Sequence, residues 1–179
     1  MNSINKNSTL KEVAMIVCKA LSDEGINAVL SGGAVVSIYS DNRYESLDLD
    51  FIAYGGAREI DRVMKKLGFT KNPSRYYEHP ESDFFVEFPS PPLAIGKRPI
   101  NTFEEIKSDQ GIIRLLKPTH CVMDRLAAFY HWNDRQAFEQ ALLVARSHEI
   151  DMAEVEAWSE EEGMQKKFIQ FRDSLESRG

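Results

Sequence analysis

The 179-residue chain carries 22 Lys and Arg against 28 Asp and Glu, a formal net charge of −6. That length buries a sizeable core without disulfide support, and the acidic balance argues against a protein built to grip long nucleic acids. No apolar stretch reaches membrane-spanning length and Met1-Asn2-Ser3-Ile4-Asn5-Lys6 begins no signal peptide, so a cytoplasmic protein without a membrane partner is expected.

In chain order, Thr9-Leu10-Lys11-Glu12 reads as a capping box. It opens a helix with the apolar stripe Leu10, Val13, Ala14, Val17 and Leu21, stopped near Gly25. Ala28-Val29-Leu30 is a short buried strand, Ser31-Gly32-Gly33 a tight turn, and Ala34 to Tyr39 a short helix. After the loop Ser40-Asp41-Asn42, the run Leu47-Asp48-Leu49-Asp50-Phe51-Ile52 alternates apolar and acidic residues. As a strand it turns Leu47, Leu49 and Phe51 to one face and both carboxylates to the other.

Two carboxylates held close together resist ionising unless a cation is shared between them. Mg²⁺, or Mn²⁺ in its place, relieves that conflict, because a hard ion takes oxygen ligands and completes its shell with water and phosphate. The glycine turn supplies the complement: a backbone without Cβ atoms approaches a phosphate closely, and the free N–H groups at the next helix start favour negative charge.

Strand, Gly32-Gly33, helix and then Asp48-Leu49-Asp50 on the next strand resembles the nucleotidyltransferase superfamily, which includes DNA polymerase beta and many small bacterial transferases. Ser31 departs from that pattern by taking a place usually apolar, and the gap from Ala34 to Leu47 is slightly long. Arg43-Tyr44-Glu45-Ser46 looks like the polar lead-in of abortive-infection and toxin-type relatives. The resemblance implies an α/β (α+β) fold with a mixed sheet flanked by helices. It also implies a nucleoside triphosphate such as ATP as substrate, with Ser31, Gly32, Gly33 and Ser37 around its phosphates. An acceptor hydroxyl on tRNA or another RNA, on a protein or on a small molecule would receive the nucleotide, and an antitoxin protein is an implied partner.

Such chemistry needs a third carboxylate near the acceptor. Phe84-Phe85-Val86-Glu87-Phe88 is a β-prone run ended by Pro89, with Phe84, Val86 and Phe88 toward the core and Glu87 away from it. Asp48, Asp50 and Glu87 are thus the expected catalytic and metal-binding set. Glu81 and Asp83 fall in the loop before that strand.

Ile60, Val63, Met64 and Leu67 mark a helix ending at Gly68. Phe69 to Ser74, Arg75 to His79, Phe84 to Phe88 and a run near Leu93-Ala94-Ile95 then suggest short antiparallel strands, and Gly111 to Leu116 a further one. Arg62, Lys65, Lys66, Lys71 and Arg75 are close in sequence, as a solvated helix face would be. Cys18 and Cys121 read as buried thiols. No zinc-ligand spacing, P-loop or Gly-x-Ser-x-Gly sequence appears.

From Pro118 the chain reads as helical, with starts at Thr119, Asn133 or Asp134, Asp151 and Ser159. A catalytic core over 1–117 and a helical extension over 118–179, packed on the core, are expected. Within the extension, Arg125 and Arg135 are candidates to neutralise triphosphate charge, or else ion-pair partners of Asp124 and Asp134; His131 and Trp132 are candidates to stack on a base. The alternative to a transferase is a catalytically inactive nucleotide-binding or protein-interaction module on the same fold.

Overall fold

The computed structural model describes residues 3–109 and 111–177. Met1 and Asn2, part of the opening read for a signal peptide, and Arg178 and Gly179, at the end of the helical extension, lie outside the described residues. Helix α1 (Leu10–Asp23) opens on the expected capping box: the Thr9 hydroxyl accepts the Glu12 N–H at 3.3 Å and the Glu12 carboxylate accepts the Thr9 N–H at 2.8 Å. Then come β1 (Asn27–Ser31), α2 (Gly33–Tyr39), β2 (Asp48–Tyr54) and α3 (Ala57–Lys66). The strands β3 (Thr70–Lys71), β4 (Tyr77–His79), β5 (Ser82–Glu87), β6 (Ala94–Ile95), β7 (Arg98–Pro99), β8 (Glu104–Ser108) and β9 (Gly111–Leu115) lead to four helices: α4 (Pro118–Trp132), α5 (Arg135–Ala145), α6 (Met152–Glu161) and α7 (Gln165–Glu176).

Seven strands form one mixed sheet in the order β3-β4-β5-β2-β1-β9-β8, and β6 and β7 make a separate hairpin. β2 lies antiparallel to β1 and parallel to β5, so the second pairing departs from the antiparallel run expected between residues 69 and 95. Strand alternation divides the sheet. Leu49 and Phe51 on β2 and Val86 on β5 are fully buried. Tyr77, paired with Val86, donates its hydroxyl to Asp61 of α3 at 3.4 Å, which fixes that side as the one α3 covers. Helix α1 packs on β1 and β9. Asp48 and Asp50 belong to the opposite side, where α2, α4 and the later helices gather.

Three expectations need correction, and one strand carries no sequence pattern of its own. Leu47 precedes β2 and is 54% exposed, because pairing there is by backbone alone: the Phe85 N–H donates to the Leu47 carbonyl at 2.9 Å. Asp83 lies in β5 and is exposed, so it is a strand residue with no loop around it. Strand β8 carries no apolar alternation because it is a sheet edge, where Glu104, Glu105 and Lys107 stand in solvent and discourage further pairing. Ser159 starts no helix. It is buried inside α6, where its hydroxyl donates to the Val155 carbonyl at 2.7 Å, and the chain turns only at Gly163 with φ of +72°.

The later helices close on one another through matched polar contacts. The Trp158 indole N–H donates to the Ile95 carbonyl at 3.1 Å, and the ring stacks on Tyr130 with centroids 5.4 Å apart. The Tyr130 and Ser159 hydroxyls meet at 2.9 Å. Lys167 caps the end of α4, donating to the carbonyls of Phe129 and Tyr130 at 2.9 and 2.7 Å.

Candidate active site

The site grows from the junction of β1, α2 and β2. Gly32 adopts φ 72° and ψ −156°, a conformation open in practice to glycine alone, and a Cβ there would sit 2.5 Å from Asp50 Oδ2. The turn therefore lays bare backbone directly against the carboxylate. Ser31 is buried, and its hydroxyl donates to the Asp50 carbonyl at 3.2 Å, tying β1 to β2 at this point. Ser46 frames Asp48: its hydroxyl accepts the Asp48 N–H at 3.2 Å and donates to the Asp48 carbonyl at 3.0 Å.

Register supplies the third acid. In the parallel pair β2–β5, Asp50 is opposite Glu87 and Asp48 is opposite Phe85, so Asp50 and Glu87 point the same way and Asp48 lies two residues along on the same face. Burial pushes the Asp50 carboxyl up to about 6, with Glu87 and Asp48 adding repulsion, Arg125 drawing it back and Asp124 raising it again. Negative charge at this face thus exceeds what its one nearby cation offsets.

That cation is held firmly. Arg125 of α4 donates from Nε and Nη2 to Asp124 Oδ2 at 3.0 and 2.5 Å and from Nη1 to Gln140 Oε1 at 3.4 Å. Sequence reading offers Arg125 as either a phosphate neutraliser or an ion-pair partner of Asp124; the structure has it paired with Asp124 while it faces Asp50. With five N–H donors and three engaged, its fork keeps donors for an oxyanion.

The structure gives other expected residues different places. Ser37 is 1% exposed, donates to the Gly33 carbonyl at 3.3 Å and accepts the Ser46 N–H at 2.8 Å, so its hydroxyl braces α2 against the loop before β2 and is not offered to a phosphate. Arg135 is not brought to the carboxylates, because its guanidinium lies over the rings of Phe138 and Phe129, 4.8 and 5.7 Å from their centroids. His131 Nε2 lies 3.3 Å from Glu162 Oε2, while Trp132 stands in solvent. On α3, Lys66 and Arg62 pair with Glu24 and Lys65 with Asp61, as a solvated face does. Sequence reading missed Ser46 and Gln140; only the Ser46-x-Asp48 spacing carried a signal for the first.

Among the described residues no three His, Cys, Asp or Glu side chains are already gathered as ligands. The donor set nevertheless fits Mg²⁺ or Mn²⁺ in chemistry and charge: carboxylate oxygens alone, on one face, with Asp50 raised to about 6 by burial and by its neighbours Glu87 and Asp48. No helix is long and apolar enough to cross a membrane, among the described residues.

No protein-family model matches the sequence, and no curated protein matches it. Among solved structures the chain is similar to an antigenic nucleotidyltransferase-like protein from Paracoccidioides brasiliensis, with 14% identity and a TM-score of 0.59 over 78% of this chain and 77% of that one. It is also similar to the antibiotic-resistance factor ANT(2'')-Ia, at 15% identity and a TM-score of 0.49 over 94% of this chain and 95% of that one. A tRNA-processing enzyme in an apo form matches at 14% identity and a TM-score of 0.41, over 91% of this chain and 50% of that one. The first likeness establishes the fold as nucleotidyltransferase-like, and at this identity it speaks to fold alone.

Proposed function

We propose that this protein transfers a nucleoside monophosphate from a nucleoside triphosphate, ATP among them, to an acceptor hydroxyl. The observation that carries the reading is the Gly32 backbone pressed against Asp50 while Glu87 stands beside Asp50 in register. A phosphate chain and a carboxylate cluster would thereby share one small space. Asp48, Asp50 and Glu87 are the residues that would hold Mg²⁺ or Mn²⁺. When bound, the ion neutralises the triphosphate and the developing charge at the reacting phosphorus.

The chain's own residues do the rest. The Gly32-Gly33 backbone approaches the phosphates, and Arg125 offers its unused N–H groups to their oxygens. Glu87 takes the proton of the acceptor hydroxyl. That oxygen forms a bond to the α-phosphorus in line, the bond to the bridging oxygen breaks, and pyrophosphate leaves with the electron pair. The acceptor is RNA such as tRNA, a protein or a small molecule; bulk acidity favours the latter two. A toxin or phage-defence role with an antitoxin partner extends this reading and is supported by the polar lead-in before Asp48.

A second reading, a nucleotide binder without turnover, draws on the absence of three gathered ligands among the described residues. Incubation of wild type and Asp50→Asn with each labelled nucleoside triphosphate and Mg²⁺ in a cell extract separates the two. Transfer predicts label in an RNA, protein or small-molecule fraction with wild type only. No label from any of the triphosphates overturns transfer in favour of silent binding.

A further inference from the structure

A groove of about 260 Å³ runs between the loop before β2 and one face of α5, beside the carboxylate site and separate from it. Gln136, Glu139, Gln140 and Leu143 line one face of α5 and Arg146 caps its end, which extends the groove over roughly 15 Å. Arg43 and Tyr44 form the facing wall. Tyr44 also reaches the glycine turn, since a Cβ on Gly33 would meet its ring at 3.3 Å.

The groove carries cationic donors engaged only by backbone carbonyls. Arg43 donates from Nε to the Ser40 carbonyl at 3.1 Å and Arg146 from Nη2 to the Ser174 carbonyl at 3.1 Å, yet neither forms an ion pair with a carboxylate among the described residues. Two guanidinium groups without a carboxylate partner among the described residues thus line one groove, where a single anion would meet both. Gln140 adds an independent observation. The residue as a whole is 6% exposed and its Oε1 is engaged by Arg125, while among the described residues its amide nitrogen has no hydrogen-bond acceptor and, not being buried itself, stays open to the groove. An accessible amide donor on a groove wall is available to a ligand oxygen as it is to water.

We propose that this groove binds a phosphate-bearing ligand, with Arg43, Arg146 and Gln140 donating to its oxygens. Guanidinium forks suit phosphate geometry, and the choice of phosphate over another oxyanion rests on the reading of the adjoining Gly32-Gly33 turn given above. Such a phosphate has two sources: the far end of the triphosphate, or the phosphodiester backbone of an acceptor strand. Glu139 lines the same groove and works against either, which gives the inference a variant of opposite sign.

Calorimetric titrations of the full chain with inorganic triphosphate and with a ten-nucleotide single-stranded RNA, both in EDTA, test this. Arg43→Gln with Arg146→Gln alters exposed side chains and leaves the fold intact, checked by its melt. Affinity falling about tenfold or more for triphosphate alone identifies the nucleotide tail, for RNA alone an acceptor strand, and for both a shared phosphate site. Glu139→Gln tightens whichever probe the double variant weakens. The inference is overturned if neither probe binds wild type, or if the double variant binds both as wild type does. Because no turnover enters these titrations, unchanged binding in an enzyme that still transfers label refutes the groove alone, and weakened binding in a protein that never transfers refutes the reaction alone.

Discussion

Trp158 in α6 and Asp50 in β2 are both largely withdrawn from water, yet their polar atoms meet opposite surroundings. The indole N–H has the Ile95 carbonyl, the ring has Tyr130, and Tyr130 in turn has Ser159, so burial there costs little and packing gains much. Among the described residues the exceptions are His120 and His148, whose Nδ1 atoms are buried without partners. Asp50 is buried beside Glu87 and Asp48, and one tethered guanidinium does not balance the three acids. One region is arranged for stability and the other against it, which accords with the cation and phosphate binding proposed for the second.

Trp158→Ala should have the largest effect on that contrast, a loss of about 3–5 kcal/mol in urea unfolding, because a fully buried indole leaves a cavity and an orphaned carbonyl. A loss below about 1 kcal/mol would mean the helical region is not the stable partner in the comparison.

Asp50→Asn should act in the opposite direction. Its folded carboxyl is raised to about 6 from an ordinary value of 3.8, so the folded chain binds more protons than the unfolded chain between those values. The wild type should therefore lose stability as pH rises from about 4 to about 6 and stay lower above that window. Asp50→Asn should be about 2 kcal/mol more stable than wild type at pH 8 and lack that decline. Urea midpoints across pH check this, and a variant less stable than wild type at pH 8 would assign Asp50 a structural role.

Ser159→Ala sharpens the comparison on a smaller scale. Removing this hydroxyl leaves the buried Tyr130 hydroxyl without its partner, for a loss of about 1 kcal/mol with transfer unchanged. Unchanged stability would show that the polar match behind Trp158 adds little.

The acids were legible in the sequence because period-two alternation is local: Asp48, Leu49, Asp50 and Phe51 declare their faces without help from elsewhere. The turn before them was legible for the same reason. Glu87 could be nominated by its own strand pattern, but its place opposite Asp50 depends on a parallel register between strands more than thirty residues apart, which no local pattern encodes. Hydroxyl and guanidinium roles were least legible. Ser37 sits one turn from the glycine pair, yet its partners are the Gly33 carbonyl and the Ser46 N–H. Arg125 and Arg135 read alike as arginines of the helical extension, and only packing sends one to Asp50 and the other over Phe129 and Phe138. The pattern Ser159-Glu160-Glu161-Glu162 imitates a helix start because serine and glutamate also suit a helix interior when the hydroxyl bonds back one turn.

Calorimetric titration of a nucleoside triphosphate into wild type and Asp50→Asn, each with Mg²⁺ and with EDTA, tests the central claim most directly, that Asp48, Asp50 and Glu87 form an unbalanced anionic face completed by metal and phosphate. Saturable binding of the nucleotide to wild type with Mg²⁺, at least about tenfold weaker in EDTA and in Asp50→Asn, is the predicted result. Equal affinity with Mg²⁺ and with EDTA, or no loss in Asp50→Asn, would contradict it.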